Sequence, residues 1–118
     1  MAALDPARLR ALLARTRELG MEALVEAHSE AEVAAALEAG AAVLGVNHRD
    51  LATFQVDIGL SERLRPLVPA DVVYVAESGI HSPADARRMR EAGADAILVG
   101  EALMRAPDPG AVVRELSV

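Results

Sequence analysis

Four short apolar runs along the chain each end in polar residues. They lie at positions 24–28, 44–50, 73–79 and 97–101, and read LVEAH, LGVNHRD, VYVAESG and ILVGE. Buried parallel strands are typically continuous apolar runs, and in α/β folds the ligand lies at the carboxyl ends of such strands. The pattern therefore predicts a parallel sheet with a polar site along its carboxyl-terminal edge.

Helical segments separate these runs. We predict helices over 6–19, 30–39, 61–67, 82–92 and 109–116, a helical turn over 101–105, and strands at about 23–27, 42–46, 72–76 and 96–99. Asp5, Ser29 and Ser82 are typical N-cap residues, and Glu32 stands where a capping box with Ser29 needs it. Pro66 and Pro69 are expected to end the 61–67 helix, and the loop over 47–58 is long enough to shape a site.

The unit of helix, glycine, strand and polar loop recurs along the chain. The sequences RELG, LEAG and REAG, at 17–20, 37–40 and 90–93, each close a helix before a strand. Alternation of helices and strands without a hairpin signal indicates right-handed parallel crossovers. Such units build either an open doubly wound sheet or a (β/α)8 barrel, which needs ~250 residues and eight strands. Four strands in 118 residues correspond to about half of a barrel.

Composition narrows the classes of protein. Hydrophobic residues make up 53% of the chain but aromatic residues only 2%, so an α/β core of Ala, Val, Leu and Ile is expected. The net charge of -6 and the absence of a basic tract argue against nucleic-acid binding. No apolar stretch approaches the ~20 residues that span a membrane. Positions 1–6 lack the basic start and apolar core of a signal peptide, so a cytoplasmic location is expected by default.

The chain lacks both cysteine and lysine, and each absence limits the chemistry it can perform. The chain has no cysteine, which excludes disulfides, thiolate catalysis and cysteine zinc sites. All twelve basic residues are arginine, a bias typical of GC-rich genomes. Since there is no lysine, this chain cannot form a Schiff base or supply a lysine general acid.

Two glycines follow the third and fourth predicted strands. Gly79 and Gly100 would expose backbone N–H groups there, and Gly100 opens a helical turn whose dipole favours an anion. In barrels a phosphate commonly lies after the last two strands. The alternative is that both glycines only permit tight turns. For a phosphate site, the carboxylate of Glu101 must point away from the ligand.

The strand ends also carry candidate catalytic groups. Glu26 ends an apolar run, where a carboxylate is costly unless it is used or paired; the alternative is an ion pair with an arginine such as Arg49. Asn47 offers a donor and an acceptor for orienting a substrate, and Ser78 could bond a substrate hydroxyl. A local ion pair between Arg49 and Asp50 is expected to fix the loop. The histidine order needed to activate a serine nucleophile is missing.

Three histidines follow strand ends. His28, His48 and His81 could together bind a metal, but side chains beyond strand termini tend toward solvent, and no metal site is expected. Glu77 precedes Ser78 at the end of the third predicted strand and is assigned no role.

Four blocks of sequence together resemble indole-3-glycerol-phosphate synthase. They are GMEALVE at 20–26, GVNHRDL at 45–51 with Thr53 and Phe54, VAESGI at 75–80, and LVGEALM at 98–104. The blocks run in order with the spacing typical of the family. Other phosphate-binding barrels share the glycine signal, but not the N-x-R-D-L block together with AESGI.

The resemblance implies a (β/α)8 barrel that acts in tryptophan biosynthesis. The family closes the indole ring of 1-(2-carboxyphenylamino)-1-deoxyribulose 5-phosphate, with loss of CO₂ and water and without metal or organic cofactor. By position, Glu26 resembles the catalytic carboxylate, Asn47 the amide that orients the substrate and Ser78 the hydroxyl beside it. The implied substrate- and phosphate-binding positions are Arg49, Gly79, Gly100 and Glu101.

The resemblance covers only the second half of the family's barrel. The family's first four strands, with its general-acid lysine and the lysine and glutamate that partner it, have no counterpart in 1–118. We therefore expect a C-terminal half-barrel fragment that is inactive alone, and that self-associates or pairs with an N-terminal half. The alternatives are a non-catalytic phosphate-binding scaffold and another phosphate-binding isomerase or epimerase. Glu26 and the N-x-R-D-L block argue against the isomerase or epimerase.

Overall fold

Four parallel strands form one sheet in the computed structural model, which describes residues 5–118. The strands are β1 (Leu24–Ala27), β2 (Val43–Asn47), β3 (Val73–Glu77) and β4 (Ala96–Leu98). Each predicted strand is present, with ends that differ from the prediction by at most one residue. Residues 1–4 lie outside the described residues, and with them most of the segment interpreted as lacking a signal peptide.

Helices connect and follow the strands. They are α1 (Pro6–Glu18), α2 (Glu30–Glu38), α3 (Leu60–Leu64), α4 (Pro83–Glu91), α5 (Glu101–Arg105) and α6 (Pro109–Leu116). The predicted helix over 61–67 is wrong in one respect. Its second part, Arg65–Leu67, is a 3-10 turn that contains Pro66. Proline has no N–H to continue the α-helical ladder, but it is tolerated in the first turn of a new helix.

The predicted N-caps are present. Oδ1 of Asp5 accepts the Arg8 N–H at 2.8 Å, and Ser29 and Ser82 cap α2 and α4 in the same way. The capping box at α2 forms only in part, because the Glu32 carboxylate accepts the backbone N–H of His28 at 2.6 Å. At α2 and α4 these local bonds fix where the helix begins after the preceding strand.

The order of the strands decides between the two predicted architectures. It is β1-β2-β3-β4, whereas a doubly wound sheet changes direction at a switch point and carries helices on both faces. Here helices cover one face, which buries Val25, Leu44, Val46, Tyr74 and Ala76. The other face is open: Leu24, Val73 and Leu98 are 42%, 43% and 51% exposed. The fold is therefore half of a (β/α)8 barrel, as predicted.

The core lies between the sheet and its helices. One cluster joins α1 and α2 to the first three strands through Leu9, Leu13, Val33 and Leu44. A second cluster joins β3 to α4 and α6 through Ala76, Ile80, Ala86, Met89 and Leu116. The core is aliphatic, as the composition predicts, and Tyr74 is its buried aromatic residue. No helix within 5–118 combines the length and the apolar character needed to cross a membrane.

Candidate functional site

The polar ends of the strands meet in a cavity of about 400 Å³. All seven residues singled out from the sequence line it: Glu26, Asn47, Arg49, Ser78, Gly79, Gly100 and Glu101. Parallel strands bring their carboxyl ends to one edge of a sheet, and this common edge is why residues 75 positions apart share one cavity. The structure thus places the predicted residues together, while the role of each stays a prediction.

Asn47 and Ser78 are fixed to one another. The hydroxyl of Ser78 donates to Oδ1 of Asn47 at 2.8 Å, and the backbone N–H of Arg49 donates to the same oxygen at 3.0 Å. A backbone N–H needs an acceptor, so the orientation of the amide follows from this bond. Asn47 is left with its Nδ2 as the donor for a substrate oxygen, and Ser78 can only accept from a substrate.

The buried carboxyl group of the site is Glu77. Its side chain is 3% exposed, and within residues 5–118 neither carboxyl oxygen has a hydrogen-bond partner. Burial, and secondly the neighbouring carboxyl group of Glu26, raise the pKa of Glu77 to about 7. A carboxyl group of this kind is part protonated at neutral pH, and it can give or take a proton.

The expectation that Glu26 bears the cost of burial is therefore wrong. Glu26 lies on the open face of the sheet, on the edge strand β1, and is exposed. In the register of β1 and β2 it stands beside Gly45. A Cβ at Gly45 would overlap the carboxyl group of Glu77 and lie 2.9 Å from its Cδ. The missing side chain of Gly45 thus makes the space into which Glu77 fits.

Sequence reasoning assigned no role to Glu77, although a signal for it was present. Side chains alternate along a strand, so Glu77 shares the open face with Val73 and Val75. Glu26 has the matching position at the end of β1. Two carboxylates on the same face of two nearby strands indicate a coupled pair even without coordinates.

Arg49 pairs across the cavity with Glu101. Its guanidinium lies 3.3 Å from one carboxyl oxygen of Glu101, whose other oxygen binds Arg105 at 3.0 Å. The expected ion pair between Arg49 and Asp50 is therefore wrong, and the alternative ion pair between Arg49 and Glu26 does not form within residues 5–118. Asp50 instead accepts two backbone N–H groups of the loop that follows it, and these bonds lower its pKa.

The expectation that the histidines point to solvent is wrong for His48. Its side chain is fully buried, with Nδ1 2.7 Å from the Ser78 carbonyl and Nε2 2.6 Å from the hydroxyl of Ser61. These two hydrogen bonds satisfy both ring nitrogens and so offset the cost of burying the imidazole. His28 is half-buried and binds the Asn47 carbonyl through Nδ1 at 2.7 Å. Residues 5–118 hold no group of three His, Asp or Glu side chains that could bind a metal ion.

Comparison with known proteins shows the family of the chain. A sequence model of the family "Indole-3-glycerol phosphate synthase" matches residues 1–116. The chain belongs to the indole-3-glycerol phosphate synthase family. It is 61% identical over 116 residues to indole-3-glycerol phosphate synthase 2 of Streptomyces coelicolor, and 53% identical over 113 residues to the synthase of Opitutus terrae. The resemblance inferred from the four sequence blocks is confirmed.

The matched synthases are longer than this chain. The alignments cover 98% and 96% of it but only 45% and 42% of the Streptomyces and Opitutus proteins, so the chain spans about half their length. Among solved structures, an N-acetylmannosamine-6-phosphate 2-epimerase from Clostridium perfringens superimposes with a TM-score of 0.68 at 20% identity, covering 80% of this chain and 42% of the epimerase. The "Native KDPGal structure" gives 0.67 at 22% identity, covering 97% and 52%. At this identity the two structures show the fold alone.

Two glycines with the same φ allow the packing around the cavity to be measured. Gly20 and Gly79 both have φ +74°, but a Cβ would meet nothing within 4 Å at Gly20 and would lie 2.5 Å from Cγ1 of Val56 at Gly79. We expect Gly20→Ala to cost about 1 kcal/mol of unfolding free energy through backbone strain. Gly79→Ala should cost about 1–2 kcal/mol more through overpacking.

Urea unfolding of both variants at one protein concentration measures the difference. Equal losses at the two positions would contradict the close packing of Val56 on the Gly79 turn.

Proposed function

We propose that this chain forms the phosphate-binding and carboxylate half of an indole-3-glycerol phosphate synthase active site. The reaction is the ring closure of 1-(2-carboxyphenylamino)-1-deoxyribulose 5-phosphate, with loss of CO₂ and water. The observation that carries the proposal is the convergence of all seven predicted residues on one cavity of about 400 Å³. That volume is within the usual range for a small-molecule site.

Gly100 supports a phosphate at the far end of the cavity. Its φ of -123° is open to any residue, and a Cβ there would meet nothing within 4 Å in the part of the chain described. Packing within residues 5–118 thus gives no reason for glycine at this position. Close approach of a ligand to the backbone is a reason, since glycine is used where a phosphate contacts main-chain N–H groups.

The carboxyl groups support proton transfer at the other end. Glu26 is exposed toward the cavity, and its neighbour Glu77 has a pKa of about 7, so Glu77 can hold or release a proton beside it near neutral pH. Glu26 is proposed as the catalytic carboxylate, and Asn47 and Ser78 as the groups that orient the substrate. The general acid that helps expel water is a lysine in the family, and this chain has none. We therefore propose that another part of the barrel supplies it.

Turnover by a completed barrel tests the proposal. The chain is joined behind the part of the Streptomyces coelicolor synthase that it does not cover, and formation of indole-3-glycerol phosphate is followed. We expect the joined barrel to be active and the isolated chain to be inactive, because the lysine general acid is then missing. The phosphate site is tested with Gly100→Ala in the joined barrel. We expect this variant to fold normally and to have a raised KM.

Three results would count against the proposal. Turnover by the isolated, purified chain contradicts the need for a second half. A joined barrel that folds and binds the substrate without turnover favours the non-catalytic scaffold. A joined barrel that does not bind the substrate removes the phosphate assignment.

We propose that the isolated chain associates with a second copy of itself. Leu24, Val73 and Leu98 leave an apolar open face, and within residues 5–118 the outer edges of β1 and β4 have no strand beside them. Exposed apolar faces and open strand edges favour association. Two copies related by a twofold axis could pair β4 of one with β1 of the other and complete eight strands.

Sedimentation velocity should therefore detect a dimer or larger species, which Leu98→Glu weakens by placing a charge at the face and edge. Met104→Glu is the matched control, because Met104 is 87% exposed on α5, outside the sheet. A monodisperse monomer of the unmodified chain would be the contrary result.

A further inference from the structure

A buried chain of polar groups lies behind the cavity, outside the groups assigned to the reaction. The imidazole of His48 bridges the Ser78 carbonyl at 2.7 Å and the Ser61 hydroxyl at 2.6 Å. The carbonyl of Ser61 in turn accepts the hydroxyl of Tyr74 at 2.9 Å. His48, Ser61 and Tyr74 are all fully buried, so these bonds are shielded from water.

The bonding partners set the protonation of His48. A backbone carbonyl only accepts, so Nδ1 carries the proton that it donates to Ser78, and Nε2 accepts the hydroxyl proton of Ser61. Burial lowers the pKa of His48, which favours the neutral ring that this arrangement requires. The ring therefore has one direction and one tautomer.

His48 binds the turn that carries two of the proposed site residues. Ser78 and Gly79 both adopt left-handed backbone conformations, with φ of 72° and 74°, although Ser78 carries a side chain. The backbone N–H of His48 donates to the Glu77 carbonyl at 2.9 Å, and its ring donates to the next carbonyl, that of Ser78. The side chain of Val56 lies close against Gly79. Left-handed backbone at a non-glycine residue persists only where its surroundings hold it.

We propose that His48 is a positioning residue, which links Ser61 of α3 to the Ser78 carbonyl and so holds the Ser78–Gly79 turn in the shape that receives the phosphate. The phosphate part of this inference rests on the proposed function, whereas the hold on the turn does not. The sequence alone does not predict this role of His48, because its partners Ser61 and Ser78 are 13 and 30 positions away.

Two substitutions separate the bond to Ser78 from the bond to Ser61. Asparagine places its amide near Nδ1 of histidine and can still donate to the Ser78 carbonyl, whereas glutamine places its amide near Nε2. In the unmodified 118-residue chain, ¹⁵N NMR should show His48 protonated at Nδ1 and not at Nε2. His48→Gln should shift the Ser78 and Gly79 amide resonances and weaken binding of inorganic phosphate about tenfold. His48→Asn should keep the Ser78 and Gly79 amide resonances and the phosphate affinity of the unmodified chain.

Tyr74→Phe is the control for a general loss of stability. It removes a hydrogen bond from the same buried chain without touching the turn, so phosphate binding should stay unchanged. A ring protonated at Nε2 overturns the proposal whether or not any variant folds. So does a His48→Gln chain with unchanged amide resonances, or a Tyr74→Phe chain that loses as much phosphate affinity. If the unmodified chain binds no phosphate, the phosphate site of the proposed function fails, and the tautomer and amide resonances still decide the role of His48.

Discussion

Replacing Glu26 with glutamine is expected to lower kcat of the joined barrel by a factor of about 10²–10⁴, the usual contribution of a general acid or base. Glutamine keeps the shape and the hydrogen-bonding oxygen of the side chain but cannot accept a proton. Glu26 lines the cavity from β1 and is exposed toward it, so the substitution leaves the packing of the core unchanged. KM should change little, because the phosphate end of the cavity is untouched.

The matched control is Glu22→Gln. Glu22 is exposed and precedes β1, outside the residues that line the cavity. Both variants remove one carboxylate from the same stretch of chain, so only the position of the charge differs. If Glu26→Gln leaves turnover unchanged and Glu77→Gln abolishes it, the catalytic carboxyl group is Glu77 and not Glu26.

The elements of the fold could be predicted because their signals are local. Apolar runs predict the strands, and Asp5, Ser29 and Ser82 cap helices through bonds that span three residues. The alternation of helices and strands left a doubly wound sheet and a barrel open. The resemblance of the four sequence blocks favoured half of a barrel, and the strand order and the helices on one face confirm it. The seven site residues could be named because a parallel sheet collects the ends of its strands at one edge.

The errors share a physical cause, which is burial by elements distant in sequence. Glu26 and Glu77 end similar apolar runs, but only Glu77 is enclosed, with Gly45 making room for it. His48 is buried because Ser61, on a helix that follows a long loop, supplies its second partner. Arg49 finds Glu101 at a distance of 52 positions rather than its neighbour Asp50. No local pattern fixes which of several similar side chains the tertiary structure covers.

Glu77→Gln is expected to stabilise the chain at pH 8 by about 3 kcal/mol and to have little effect at pH 4. Burial and Glu26 raise the pKa of Glu77 from 4.5 to about 7, so the folded chain binds this proton more tightly than the unfolded chain. The stabilising contribution is fully present below about pH 4.5 and is lost as the pH rises through about 7. Glutamine is neutral at every pH, so the stability of the variant does not fall in this pH range through residue 77.

The measurement is the free energy of urea unfolding of both chains at pH 4 and pH 8, at one protein concentration because association affects stability. Groups away from Glu77 titrate in both chains and cancel in the difference, including the half-buried Asp50 and the exposed Asp57, whose pKa values are lowered. A difference that is the same at both pH values would show that Glu77 is ionised or well solvated in the folded chain. A stabilising glutamine at this position would mean that the fold retains a costly buried carboxyl group beside Glu26. Such a cost is expected where a site needs a proton near neutral pH.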